Sequence, residues 1–177
     1  MVAMRRLARL CGAIALLQFT AVQAGTGKVI AGWLEKIQLA AAADHPVKAK
    51  LDSGAKTSSI NARNIEPFTR DGAEWVRFEL ELEGTDDSIR TAAMELPVAR
   101  YVKIKRHGGQ SSRRPVVDLE FCFSGRWWRT EFSLVDRGKF HYPVLLGRRF
   151  LDGVAVIDPG ATFVTEPDCK STQDARP

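Results

Sequence analysis

Apolar and polar residues alternate along most of the chain after residue 28. Between Trp75 and Glu83, Val76, Phe78, Leu80 and Leu82 fall on one face, and Trp75, Arg77, Glu79, Glu81 and Glu83 on the other. Successive side chains of a strand point to opposite sides, so this is the pattern of a strand with one face buried. Val117, Leu119, Phe121 and Phe123 make a second such row, and Trp128, Thr130, Phe132 and Leu134 a third. Residues 29–39, 98–106, 144–146, 154–158 and 162–165 predict further strands. Turn residues separate them: Gly84-Thr85-Asp86-Asp87, His107-Gly108-Gly109, Ser124-Gly125 and Asp158-Pro159-Gly160. Only residues 148–152 read as a short helix, with Gly153 where a helix C-terminus favours glycine. Many short strands with little helix predict an all-β barrel or sandwich. Residues 166–177 have no apolar periodicity and predict a loose tail.

The first 24 residues break this pattern. Arg5, Arg6 and Arg9 precede a short apolar run from Leu10 to Phe19, and Val22-Gln23-Ala24 puts small residues where a signal peptidase reads. That layout predicts a secretory signal peptide over 1–24, with apolar length too short to span a bilayer comfortably. The other reading is an uncleaved N-terminal anchor. Cys11 does not suit lipidation, because bulky Leu10 precedes it and the apolar run follows it. Cleavage after Ala24 removes three arginines and lowers the net charge from +5 to +2. So small a charge gives little support to nucleic-acid binding, and the mature chain is expected to hold no stable membrane segment. The expected location is exported and periplasmic, or tethered if the leader stays. The 177 residues suffice for one domain, placed over 25–165. With 45% hydrophobic and 27% charged residues, wholesale disorder and a multi-span membrane protein are excluded. Cleavage would leave Cys122 and Cys169 as the only cysteines in an oxidising compartment; spacing alone does not decide whether they pair, and Cys169 in a polar tail makes a fixed bridge the less expected outcome.

Little of the common catalytic vocabulary is present. His45, His107 and His141 stand in no zinc-binding spacing, and there is no phosphate-binding Gly-Lys loop and no Gly-x-Ser-x-Gly elbow. No metal or other cofactor is expected. The run Ala49-Lys50-Leu51-Asp52-Ser53-Gly54-Ala55 carries more chemistry. An aspartate followed by a hydroxyl residue and glycine, at the end of a strand, is the active-site loop of aspartic peptidases. Its carboxylate faces water and acts as general base while a partner acts as general acid. The hydroxyl can lock the loop, and glycine lets backbone approach the carboxylate. The tripeptide alone also fits an ordinary Asp-Ser-Gly turn.

Two further features give it context. Pro143-Val144-Leu145-Leu146-Gly147-Arg148 is an apolar pair, a glycine and the start of a short helix, which is how retroviral-type aspartic peptidases close the structure around the Asp loop. Between the two lies a hairpin with the glycine-rich tip His107-Gly108-Gly109-Gln110, in the place of a retropepsin flap. The chain thus resembles the bacterial retropepsin-like aspartic peptidase family, whose members are often called ATP-dependent zinc proteases. Supporting stretches are Gly32-Trp33-Leu34-Glu35, Lys48 to Ser58, Trp75-Val76-Arg77-Phe78, Arg114-Pro115-Val116-Val117 and Asp158-Pro159. Nothing in these residues supports the words ATP or zinc.

The resemblance implies a closed β-barrel with one catalytic aspartate per chain, Asp52. Ser53, Gly54 and Ala55 would form its loop, His107, Gly108, Gly109 and Gln110 the flap, and Gly147 and Arg148 the loop's support. Ser53 stands where threonine is usual, Asn61 where histidine is frequent, and Ser112 where an acidic residue is common; the last two bear on substrate preference. A single Asp-Ser-Gly means that a water-activating pair needs a homodimer with the two Asp52 side chains on its axis. Asp158-Pro159-Gly160 lacks the hydroxyl residue and reads as a turn between terminal strands. The expected function is an exported aspartic endopeptidase acting on a peptide or protein. The rival is a non-catalytic module on the same fold that binds a peptide or envelope polymer. Lys103, Lys105, Arg106, Arg113 and Arg114 make the flap basic, which fits either a solvated hairpin or attraction of acidic peptides. Trp128 is expected in the core, and Trp127 at an interface or half-covered on the surface.

Overall fold

The structure, a computed structural model, describes residues 27–106 and 109–169. The expected leader over 1–24, the hairpin-tip residues His107 and Gly108, and residues 170–177 lie outside the described residues. In chain order the elements are β1 (Val29–Leu39), β2 (Val47–Asp52), β3 (Ser58–Arg70), β4 (Ala73–Glu83), β5 (Ile89–Pro97), β6 (Arg100–Arg106), β7 (Gly109–Phe123), β8 (Arg126–Val135), β9 (Val144–Gly147), the one-turn helix α1 (Arg148–Leu151) and β10 (Ala155–Thr162).

Six strands close a ring in the order β1-β2-β9-β3-β8-β7, and β7 returns to β1 through Gln38 opposite Cys122 and Leu39 opposite Phe121. The chain is therefore a closed β-barrel with one short helix. Three further pieces lean on it: β10 runs parallel to β1, β6 pairs with β7, and the β4–β5 hairpin extends from β3. Closure pairs the ring strands with neighbours along most of their length, and their inward residues make the core. Val76, Phe78, Leu80 and Leu82 are all fully buried, as their alternation requires. The helix is placed by one side chain. Phe150 meets Phe121, Phe123 and Trp128 edge-on, at centroid distances of 5.0, 5.8 and 5.6 Å. The start of α1 is thereby held against the barrel, beside the end of β2.

Three expectations need correction. Asp158-Pro159-Gly160 is not a turn between two strands, because β10 runs through it to Thr162. The extra residues make a bulge: Gly32 pairs with Asp158 and Leu34 with Thr162. Residues 162–165 are accordingly no separate strand. Third, residues 166–169 are not loose. Lys36 pairs with Glu166 at 2.7 Å, and Cys169 is bonded to Cys122.

The bridge ends a longer attachment. β1 pairs with β10 up to Leu34 and with β7 only from Gln38, which leaves an open stretch at its middle. Residues 163–165 fill it. Phe163 donates its amide to Leu34 O at 2.8 Å. The fully buried Glu35 then accepts from the amides of Gly32 (2.6 Å), Val164 (3.1 Å) and Thr165 (3.0 Å) and from the Thr165 hydroxyl (2.9 Å). A side-chain carboxylate thus does for this seam what strand carbonyls do elsewhere.

Candidate active site

Asp52 is the last residue of β2 and lies opposite Gly147, the last residue of β9. On β2, Val47, Ala49 and Leu51 point into the core, and Lys48, Lys50 and Asp52 point out. Alternation therefore delivers the carboxylate to the barrel surface with its side chain 27% exposed. The two carboxylate oxygens are differently placed. Oδ1 accepts from the amides of Gly54 at 3.0 Å and Ala55 at 3.2 Å. Oδ2 faces outward, with Lys50 Nζ at 3.5 Å. A Cβ on residue 54 would stand 3.1 Å from Oδ1, so glycine is what permits this close approach.

The segment from β9 into α1 braces the loop. The Arg148 amide donates to Ala55 O at 2.7 Å, the Arg149 amide to Lys56 O at 3.1 Å, and Arg148 Nη1 to Ser53 O at 3.0 Å. Of the expected site residues, Asp52, Ser53, Gly54, Ala55, Gly147 and Arg148 come together. Gly109 pairs with Arg106 at the end of the β6–β7 hairpin. His107 and Gly108 lie outside the described residues, as do the side-chain surroundings of Gln110. The expected lock by Ser53 is corrected: its hydroxyl makes no hydrogen bond among the described residues. Ser58 takes that part, because its Oγ accepts the buried Gly147 amide at 3.0 Å and its carbonyl accepts from Ser133 Oγ at 3.1 Å.

At the Asp52 loop, Gly147 is the tightest glycine. A Cβ there would lie 2.7 Å from the Thr57 carbonyl carbon and 2.9 Å from the Ser58 amide nitrogen, both backbone atoms. Gly147→Ala must push β9 away from the loop, and overpacking of this kind costs about 1–3 kcal/mol. The expected result is a lower urea midpoint together with weaker function, since the displaced atoms carry the Asp52 loop. An unchanged midpoint would mean that the loop has slack here.

Beside the loop a cavity of about 550 Å³ opens under the hairpin. Ala55, Thr57 and Ser59 form its floor, Tyr101, Lys103 and Ile104 its roof, and Arg100, Arg114 and Arg149 add positive charge. Next to Ser59 stands Arg137, almost fully buried. Its Nη1 donates to Ser59 Oγ at 2.8 Å and its Nε to Tyr142 O at 3.1 Å, and Phe140 covers it at 4.5 Å. Burial holds this guanidinium below its usual pKa, Arg114 adds to that, and Asp52 works against it. Sequence reasoning missed Arg137 and Ser59, which belong to no local motif and meet only through the fold. Asn61 is a structural residue. It donates to Glu81 O at 3.1 Å and accepts the Arg137 amide at 2.7 Å. Among the described residues no three His, Cys, Asp or Glu side chains converge as a metal site.

A family model described as retropepsin-like aspartic endopeptidase RimB matches residues 30–168. Similar proteins include probable alpha-L-glutamate ligases. That of Shewanella pealeana is 38% identical over 117 residues, which is 66% of this chain and 25% of the relative. That of Parasynechococcus marenigrum is 34% identical over 134 residues, 76% of this chain and 28% of the relative. The chain thus spans about a quarter of the length of these relatives. The crystal structure of Lpg0085 from Legionella pneumophila, a protein of unknown function, superimposes with a TM-score of 0.62 at 31% identity. The match covers 78% of this chain and 98% of Lpg0085.

Proposed function

The chain belongs to the RimB-like family of retropepsin-like aspartic endopeptidases, and on that premise we propose that two copies together form a working aspartic endopeptidase. The observation that carries the proposal is the asymmetry at Asp52. Two loop amides hold Oδ1, and Oδ2 is left for chemistry. In the dimer the two Asp52 side chains share one proton, since two adjacent carboxylates do not both ionise easily. The ionised one takes a proton from water, which attacks the scissile carbonyl carbon. The protonated one gives its proton to the carbonyl oxygen. The tetrahedral species then collapses as a proton passes to the leaving nitrogen.

A self-association surface is supported by Ile30 and Val156, which lie side by side across β1 and β10 and are 72% and 54% exposed. The Lys50 contact to Asp52 is a partly exposed ion pair, which an approaching partner displaces at little cost. The cationic cavity beside the loop supports substrates with carboxylate side chains. The relatives are named as ligases of glutamate, an amino acid with such a side chain. Export to the periplasm rests on the layout of residues 1–24, and the Cys122–Cys169 bridge suits that oxidising compartment.

The test uses the chain from Gly25 onward with peptide libraries at several pH and salt values. Cleavage is expected on the acid side of neutrality, to favour Glu- and Asp-rich peptides, and to lose that preference as salt screens the cavity. Sedimentation should show a concentration-dependent dimer. A chain that stays monomeric with peptide bound would sink the shared-proton mechanism. The Lys50–Asp52 contact favours the second reading, a binding module. Saturable peptide binding without any cleavage would establish it.

A further inference from the structure

Two arginines that line the cavity beside Asp52, Arg100 and Arg149, converge on one carboxylate. Glu131, in the middle of β8, accepts from Arg100 Nε at 3.0 and 2.9 Å on its two oxygens, and from Arg100 Nη2 at 2.6 Å. The same carboxylate accepts from Arg149 Nη1 at 2.9 Å. Arg100 Nη2 also reaches Thr57 Oγ1 at 3.2 Å. These partners come from three places that matter. Arg100 opens β6, the roof strand. Arg149 follows Gly147 and Arg148, which brace the Asp52 loop. Thr57 closes that loop one residue before Ser58.

We infer that Glu131 is a positioning residue, fixing the height of the β6–β7 hairpin above the Asp52 loop by holding Arg100 and Arg149 at once. Its effect on turnover rests on the peptidase reading; the geometric coupling does not. A single partly exposed ion pair adds little to stability. A carboxylate gripped by a planar fork and a second guanidinium is different, because its geometry is specific. The charged groups facing Glu131 are Arg100 from β6, Arg149 from α1 and Asp118, its neighbour across β7. Hydrogen bonding from Arg100 outweighs partial burial and holds the Glu131 carboxyl below its ordinary range. The brace is then intact above that ordinary range and is lost only as pH falls through the lowered value.

The molecule supplies a matched control. On the β4–β5 hairpin Glu95 is gripped by Arg70 and Arg77, also with a lowered pKa, and touches nothing in the site. The experiment compares Glu131→Gln, Arg100→Lys and Glu95→Gln with the wild type. It measures amide hydrogen exchange and, on a cleaved peptide, kcat and KM separately. Glu131→Gln is expected to speed exchange at the Arg148 and Arg149 amides, which bond Ala55 O and Lys56 O. It should lower kcat about ten-fold with a smaller change in KM, as expected when reacting groups are displaced by a fraction of an ångström. Arg100→Lys, which lacks the fork, should move the acid-side loss of activity to higher pH. Glu95→Gln should change none of these. Unaltered exchange at Arg148 and Arg149 in Glu131→Gln overturns the inference, whatever the activity. If the wild type cleaves nothing, exchange still decides the coupling, and only the peptidase reading falls.

Discussion

Asp52→Asn is expected to leave a folded protein that no longer turns over. The asparagine oxygen still accepts from the amides of Gly54 and Ala55, so the loop keeps its shape. The general base would be lost from both halves of the proposed dimer together. Removing a group of this kind lowers kcat on the order of 10⁴-fold. Both proteins are compared on one cleaved peptide, with circular dichroism showing equal folding. Wild-type activity should rise from neutral pH toward acid and fall again once the second carboxyl is protonated. Mixing gives a sharper form of the test. Adding the Asp52→Asn chain to wild type should depress activity beyond simple dilution, because mixed dimers carry a single carboxylate. Equal cleavage by variant and wild type would return Asp52 to the role of a turn residue.

A chain ending at Thr162 is expected to be recovered unfolded. Two attachments vanish together. The Cys122–Cys169 bridge closes a loop with a sequence separation of 47, and loop-closure entropy alone makes such a bridge worth about 4 kcal/mol. Glu35 keeps only the Gly32 amide. Stripping a buried carboxylate of its partners costs about 3–5 kcal/mol. Domains of this size have only about 5–15 kcal/mol in total. Soluble recovery and urea unfolding measure the outcome, and a wild-type urea midpoint would show that the segment is ornamental. Cys169→Ser and Glu35→Gln separately should leave folded proteins with lowered midpoints. Glu35→Gln keeps one acceptor oxygen but turns an amide donor toward the amides it used to serve.

What can be read from the sequence divides along a physical line. The strands with one wet face, β4, β7 and β8, show themselves by alternation. The Asp52 loop and the Leu145-Leu146-Gly147 segment are contiguous, so their chemistry is visible in order. β3 is not legible: its first five residues, Ser58 to Ala62, are all buried, most of them lying between β8 and β9, and so have no period. β5 turns Ala92, Met94 and Leu96 toward the core, but Ile89 and Ala93 fall at the opposite positions and blur the alternation. Asp158-Pro159-Gly160 has the composition of a turn but is absorbed as a bulge, because β1 pairs on either side of it. Glu35, Arg100, Glu131 and Arg137 act through partners on distant strands. Glu35 bonds residues 129 and 130 positions away, and no local spacing reports that.

The seam at Glu35 also sets an order of events during synthesis. β1 is the first described strand to emerge, yet two of the amides that satisfy its buried carboxylate lie 129 and 130 positions further on. Until those are made, a charge meant for the interior has no shelter but water, and burying it early is costly. Closing the barrel before residues 164 and 165 have been made is therefore disfavoured. Contacts of such long sequence separation also slow closure, since a large loop must be ordered before they form. For a chain proposed to cross a membrane before it folds, that delay is an asset. The same carboxylate that stabilises the finished barrel keeps the unfinished chain threadable.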